Sequence, residues 1–578
     1  MTTHRFSVPD LSRRLLAPIA ALLGLVAGLS VLILPSPAPT TASPTEFSAE
    51  RAMASINRLA DEPHSVLRRE AHDRARDDVI GMFTDLGYTA DVHSDPLFDF
   101  SIPEDKETFD MLSTEQQAAV KDAPAETIVV DVPGKSERTM ALMAHYDSAT
   151  VEADENGHQH ITDGTSPGAS DDGYGVAAIV ETLRALKAEG RQPENSLKIV
   201  ITDAEEIGLI GARNEMRHHR ADYENVDLVL NLEARGTSGP AFMFETSPNN
   251  SAVAGYFLSH VKQPVSSSLL PSLYARMPNG TDMNVLIPKG FTVLNIAAIG
   301  EAEHYHHATD APRYVDHSTL QHYGDQVLGL TRAWAFDGQA PTLTADGDLH
   351  FFQLWRGLTV RYPAAVGTGL GCLAVIAALG AVAMRARSLR WKRVLGTVWG
   401  LTWRSALASA AAGLVQLGAM AMKWAPESGL GPNPLLPWMF AGGSLIGVGL
   451  TVRFVVRRWK EGLGQEAVAA VLLLLAAACI PLMVLLPGAA YVLVLPTLAL
   501  ALTALAPQRV RPVVGALAAF VIMVIFAPTI LLIHELLSLG AVWATVFFAI
   551  VPVAPLALVL LQAGSRRTQR TTARTSSR

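Results

Sequence analysis

The sequence predicts an α/β domain with a mostly parallel central sheet flanked by helices, joined to an α-helical multi-span membrane domain. Two observations carry this. Between residues 47 and about 335, apolar runs of strand length alternate with stretches of helical period, as in strand–helix–strand units. Beyond residue 364, seven long apolar runs follow one another, with charge gathered in their connections.

Taken in order, residues 1–35 form an N-terminal transmembrane anchor. The run "LLAPIAALLGLVAGLSVLIL" (15 to 34) has no charge and is long enough to cross about 30 Å of hydrocarbon. Arg5, Arg13 and Arg14 precede it and hold its N-terminal end in the cytoplasm. A cleaved signal peptide is the rival reading, with "TTA" before Ser43 as the cleavage site, but the run exceeds the usual h-region of about 7–15 residues. Residues 36–46, rich in Pro, Ser and Thr, read as an extended linker.

Residues 47–340 form the α/β domain. "AERAMASINRLADEP", "REAHDRARDDVIGMFTDLGYTA" and "GVAAIVETLRALKAEG" read as helices. "ETIVVDVPG", "TMALMAHYD", "SLKIVITDAEE" and "VDLVLNLEARG" read as short buried strands. Residues 341–363 form a connector whose aromatic and basic residues suit a membrane interface.

Residues 364–562 hold about seven spans, near 364–384, 405–422, 434–452, 467–486, 489–506, 512–533 and 541–562. Basic clusters follow the first, third, fifth and seventh runs, and the last opens a basic tail over 563–578. The alternate connections "KWAPESG", "LPG" and "HELLSLG" are poor in Arg. The positive-inside rule then gives eight spans, both termini cytoplasmic, and the α/β domain outside. The expected location is the plasma (inner) membrane, with the lipid bilayer as a partner. Few ionisable residues lie deep in the spans, so they read as an anchor before a proton-coupled transporter. A groove holding apolar substrates stays open.

The 578-residue chain has a net charge of -8, which excludes nucleic acid as a natural partner. Its two cysteines, Cys372 and Cys479, lie in apolar runs and make no disulfide framework.

The chemistry lies in five separated pieces of the α/β domain. "MAHYDS" puts His145 and Asp147 two positions apart at a strand end. "SPGASDDGYG" puts Asp171 and Asp172 in a Gly-rich loop that opens a helix. "ITDAEEIGLIGAR" puts Glu205 and Glu206 side by side after the next strand, although strand neighbours point to opposite faces. Glu233 ends "LVLNLEARG", and His306 and His307 lie in "EHYHHATDAP". Singly, each piece has an ordinary reading as a turn, an N-cap or a solvated face. Together they place imidazoles and carboxylates at the strand ends where open α/β sheets bind ligands. Such nitrogen and oxygen donor sets suit zinc.

"HYDS", "PGASDDGYG", "DAEEIGLIGA", "NLEARG" and "YHHATD" resemble, in order and spacing, the co-catalytic zinc exopeptidases of the bacterial leucyl aminopeptidase and aminopeptidase Y family. The likeness covers about residues 50 to 335, and the soluble domain followed by many spans is similar to the family's membrane-bound branch. It implies a zinc exopeptidase fold, two Zn2+ ions per chain and a peptide substrate. It also implies that His145, Asp171, Glu206, Glu233 and His306 are metal ligands, Asp171 bridging both ions. Glu205 and Asp147 are the implied catalytic pair, Glu205 as general base and Asp147 behind His145. The family spacing selects His306 over His307, and His304, His218 and His219 are left as solvated residues. Asp282, in "NGTDMN", is implied to support the specificity pocket.

Three functions fit. The first is a membrane-anchored aminopeptidase. The second is another zinc hydrolase of the fold, a carboxypeptidase above all, or a glutaminyl cyclase. The third is a peptide-binding receptor or transporter. Arg235 and Arg276, near the ligand strand and the pocket segment, are the cations a carboxypeptidase would need.

Overall fold

A computed structural model describes residues 8–153, 159–277, 280–421, 436–537 and 542–564. The basic tail beyond 564, the "KWAPESG" connection and Arg5 lie outside the described residues.

Among the described residues the strands are β1 (Asp91–Pro96), β2 (Pro124–Val132), β3 (Ser136–His145), β4 (Val151–Ala153), β5 (Gln159–Ile161), β6 (Asn195–Thr202), β7 (Val226–Ala234), β8 (Ser238–Thr246), β9 (Val293–Gly300), β10 (Leu349–Trp355) and β11 (Leu358–Pro363). Seven of them form one mixed sheet in the order β1-β2-β6-β3-β7-β9-β8. The four central strands, β6, β3, β7 and β9, run parallel, while β1, β2 and β8 join antiparallel. The central strands are apolar along most of their length because helices cover both faces, as parallel sheets require.

On one face the Ala49–Leu59, Gly173–Ala188 and His317–Phe336 helices bury Phe47, Tyr174, Tyr323 and Trp334 against the sheet. On the other face Ala212, Met216, Met283 and Leu286 pack against Ala141, Met143 and Val229. The chain leaves β3 through the Gly173–Ala188 helix to β6, then crosses back through the Ile210–His218 helix to β7 on the other side of β3. The carboxyl ends of β6, β3 and β7 therefore surround the point where the strand order reverses, which is where such sheets open a crevice.

All eight long apolar runs are helical among the described residues. Among the described residues, five helical stretches are long and apolar enough to cross a membrane: 364–383, 438–460, 464–485, 511–535 and 542–564. The stretches Leu15–Ser30 and Tyr491–Leu505 are apolar but shorter. The remaining helix, Trp391–Ala421, starts well before the expected run at 405 and carries Lys392, Arg393 and Arg404. The last run is two helices, Val542–Ile550 and Val553–Gly564. Pro552 lies at the break, where its ring and missing N–H cannot continue the helix.

The N-terminal helix packs along the Arg511–Leu537 helix through Gly24 and Gly28. A Cβ at Gly24 would lie 2.5 Å from the Phe520 carbonyl oxygen, and one at Gly28 would lie 2.8 Å from Pro528 Cδ. Two small residues four apart are what let helix backbones approach closely in a membrane.

The β10–β11 hairpin, in the expected connector, joins the two halves. Phe352 stacks on Tyr491 at 4.9 Å between ring centroids, and Ser268 Oγ donates to the Gly488 carbonyl at 2.7 Å.

Candidate metal centre

His145 is the last residue of β3 and is buried. Its Nδ1 lies 3.0 Å from the Asp147 backbone carbonyl and 3.5 Å from Asp147 Oδ1. A proton on Nδ1 is thus held by Asp147, which leaves the Nε2 lone pair turned towards Asp171, the usual arrangement behind a metal-ligating imidazole. The Asp147 carboxylate also holds the turn after β6. Its Oδ1 accepts the Glu205 backbone N–H at 3.0 Å, and its Oδ2 accepts the Glu206 N–H at 3.2 Å.

Ala204 explains how two adjacent glutamates reach one site. It has φ +57, a left-handed conformation uncommon for a residue with a Cβ, and it turns the chain out of the strand pleat. Glu205 and Glu206 both line the cleft beyond it.

Asp171 lies between two imidazoles. Oδ1 is 3.3 Å from His145 Nε2, and Oδ2 is 3.3 Å from His306 Nε2. His306 Nε2 is also 3.1 Å from Glu206 Oε2. Ligand atoms of His145, Asp171 and Glu233 lie within 4.8 Å of one another, as do those of Asp171, Glu206 and His306. A third such group joins His145, Glu205 and Glu206. The five expected ligands thus form two clusters that share Asp171. Asp171 Oδ2, Glu206 Oε1 and His306 Nε2 are buried yet make no hydrogen bond among the described residues. Buried donor atoms crowded together without hydrogen bonds fit a cation between them.

The charges agree. Burial pushes the Glu205, Glu206 and Glu233 carboxyls up, Glu206 to about 7, and like charge adds to the rise. Burial pulls His306 down, but Glu206 and Asp171 outweigh it and raise the imidazole to about 10. Burial raises Asp171 as well, but His145 and His306 hold it below the usual carboxylate range.

Sequence reasoning missed two of the supports, Asp310 and Asp203, and named the third, Asp282. Asp310 accepts from Ser170 N and Oγ at 2.8 and 2.6 Å, fixing the loop that presents Asp171. Buried Asp203 pairs with His72 Nε2 at 3.0 Å and accepts the Glu126 N–H, which anchors the base of the Glu205 loop. Asp282 accepts from Thr202 Oγ1 at 2.5 Å, at the end of β6. Asp310 closes the "YHHATD" motif, and an aspartate ending an apolar strand is the one local signal for Asp203.

Other candidates lie elsewhere. His304 stacks on Tyr314 and is not in either cluster. His219 is not a solvated residue: it stacks on His93 at 3.8 Å, and its Nε2 is 2.9 Å from Asp95. Arg276 donates to the Ser272 carbonyl and to the Leu485 carbonyl, away from the cleft. Arg235 lines the cleft, with its guanidinium 5.5 Å from the Tyr305 ring centroid. The cleft holds about 280 Å³. Asp171 and the three glutamates line one side, and Phe242, Phe244, Leu270 and Ile299 form an apolar wall.

Residues 127–331, the stretch containing both clusters, match the family model of Peptidase family M28. The chain carries an M28 peptidase domain. The vacuolar membrane protease of Lodderomyces elongisporus is 29% identical to the chain over 202 residues, which cover 34% of this chain and 19% of that one. Endoplasmic reticulum metallopeptidase 1 of Mus musculus is 26% identical over 220 residues, 37% of this chain and 24% of that one. The matched stretch therefore spans about a fifth to a quarter of these relatives. Among solved structures, a zinc aminopeptidase from Bacillus subtilis aligns with a TM-score of 0.39 at 14% identity, over 52% of this chain and 98% of that one. The Porphyromonas gingivalis glutaminyl cyclase aligns with a TM-score of 0.37 at 19% identity, over 50% and 98%. Every expected ligand and both paired glutamates lie inside the M28 domain.

Proposed function

We propose that the chain is a membrane-bound zinc exopeptidase that removes N-terminal residues from peptides. The observation that carries this is the position of Asp171 between two donor clusters, with Glu205 beside them on the cleft wall. His145, Asp171 and Glu233 would hold one ion, and Asp171, Glu206 and His306 the other. Bound zinc supplies Lewis acidity towards water and the peptide carbonyl. Glu205 takes the proton from the attacking water and returns it to the leaving amine. Asp147 keeps the Glu205 backbone in place and holds the His145 proton on Nδ1. The substrate's ammonium group finds acceptors among the cleft carboxylates, and its first side chain lies along Phe242, Phe244 and Leu270.

A carboxypeptidase is the second reading, because Arg235 is the cation among the cleft-lining residues and guanidinium pairs well with carboxylate. Arg276, turned away from the cleft, does not support it. The test is one peptide in three forms: free, N-acetylated and C-amidated. N-acetylation should stop cleavage and C-amidation should not; the reverse pattern would select the carboxypeptidase.

The same reading places residues 1–35 as a retained anchor and the 47–340 domain outside the cytoplasm. Residues 364–562 are the membrane domain, in the plasma membrane. The supports are the apolar helices, the distribution of Lys and Arg and the packing of the first helix against the 511–537 helix.

A further inference from the structure

A second cavity, of about 510 Å³, lies inside the membrane domain. It is ringed by residues of the Trp391–Ala421, Gly464–Leu485, Tyr491–Leu505, Arg511–Leu537 and Val542–Ile550 helices. Its end nearest the M28 domain is roofed by Leu269 and Leu273 of the Leu269–Tyr274 helix. Leu270 and Tyr274 of that same helix line the metal cleft. One short helix is thus the wall between the two spaces. It is tied to the membrane domain by Ser268 Oγ on the Gly488 carbonyl and by Arg276 on the Leu485 carbonyl.

Three features define what the cavity can hold. Its lining is almost wholly apolar: four side-chain hydroxyls reach it, from Thr402, Ser405, Thr451 and Thr529, and those of Thr402 and Thr529 already donate to carbonyls of their own helices. A water-filled space would need two to four polar partners per water, which such a lining does not provide. The cavity runs along the Gly464–Leu485 helix from Leu482 to Val471, a rise of about 16 Å. That is half of the roughly 30 Å hydrocarbon thickness, the depth filled by one leaflet's acyl chains. The cavity is also reached from outside, because its lining residues Thr402, Ala406 and Ala478 are exposed.

We propose that this cavity binds one long aliphatic chain, taken from the leaflet that adjoins the M28 domain. The chain belongs to a bilayer phospholipid, whose acyl chains fill that depth of the leaflet, and one experiment sets this source against a free fatty acid and an acyl group on a peptide. The full chain is placed in phosphatidylcholine nanodiscs and exposed to three photoactivatable probes, each with a diazirine on a palmitoyl-length chain. The first is the free fatty acid, the second a phosphatidylcholine, and the third a peptide with a free N-terminus acylated on an internal lysine.

Cross-linked residues are then mapped by mass spectrometry. The expected result is labelling of lining residues such as Val471, Leu475 and Phe526 by the phosphatidylcholine probe, and labelling there by the fatty acid or the peptide alone would overturn the assignment to a phospholipid. Ala478→Trp, at the mouth, should cut this labelling about tenfold or more. Ser405→Phe, on a facing helix, is the second filling variant should the first not fold, and zinc content and elution volume check folding in both. Labelling spread equally over outward residues such as Leu414 and Ile446 would overturn the proposal. So would labelling of the lining that neither variant reduces.

Discussion

The Asp147 carboxylate accepts the Glu205 backbone N–H at 3.0 Å, so the residue behind His145 also holds the residue expected to move the proton. One buried side chain thereby ties the end of β3 to the turn after β6. Asp147→Asn keeps the size but replaces one acceptor oxygen with a donor that faces an N–H. Turnover should fall and zinc affinity should weaken about 10–100-fold, the usual cost of losing an outer partner of a metal ligand. Zinc titration together with kcat on a free peptide checks this. A variant with unchanged zinc affinity and kcat would mean that Asp147 positions nothing.

The paired glutamates should separate by what they lose. Glu206 is 3.1 Å from His306 and belongs to the cluster with Asp171, whereas Glu205 is outside both Asp171 clusters. Glu205→Gln should keep its zinc and lose turnover by about 10²–10⁴-fold. Glu206→Gln should first lose affinity for one ion, and Asp171→Ala should lose most of the metal because it serves both clusters. Equal metal loss in the two glutamate variants would show the pair assigned backwards.

Zinc uptake should release protons. In the metal-free protein Glu206 titrates at about 7 and His306 at about 10, so at neutral pH His306 carries a proton and Glu206 carries one about half the time. Both must deprotonate to ligate. The sign follows: apparent zinc affinity rises with pH from about 6 to about 9, and proton release is largest below 7. Calorimetry in buffers of different ionisation heat measures the protons directly. An affinity flat across that range, with no buffer dependence, would remove these two residues from the ligand set.

The parts of this molecule that repeat a local pattern were readable. β3, β6 and β7 each hold a short apolar run, and His145, Glu206 and Glu233, three of the five expected ligands, lie at or just beyond the ends of those runs. β1, "DVHSDP", has no such run, because an exposed edge strand buries little and needs no apolar face. The Asp203–His72 pair joins residues 131 apart in sequence, and nothing local in either segment announces the other. The reason Glu205 and Glu206 share a site is the backbone at Ala204, and an alanine gives no sign that it will be left-handed. Along the membrane half, hydropathy located each helix but not its ends. The basic first turns of the Trp391–Ala421 helix are helical without being apolar, and Pro552 splits a run whose hydropathy is continuous.

The first helix should be a working part of the membrane domain. Gly28→Leu would drive a side chain into Pro528 and the Val524 carbonyl. Overpacking of this kind costs about 1–3 kcal/mol, so the unfolding midpoint in detergent should drop. Gly449→Leu is the control, since a Cβ there meets nothing within 4 Å. Equal midpoints for the two variants would mean that the first helix is not packed there, as expected if residues before Ser43 were cleaved as a signal peptide.

Topology is the remaining prediction. "RARSLRWKR" follows the Ala364–Ala383 helix, Arg457, Arg458 and Lys460 close the Leu436–Lys460 helix, and Arg509 and Arg511 follow Tyr491–Leu505. Each of these clusters lies at the helix end opposite the one that meets the M28 domain or its hairpin, or one crossing away from it. Arg and Lys near helix ends stay in the cytoplasm. Tags near Arg390 and Arg570 should therefore be reached only after the membrane is opened. A tag after Ser36, and the M28 domain itself, should be reached by an impermeant reagent on intact cells. Protection of the M28 domain in intact cells, with the Arg390 tag exposed, would invert the whole assignment and move the metal centre to the cytoplasmic side.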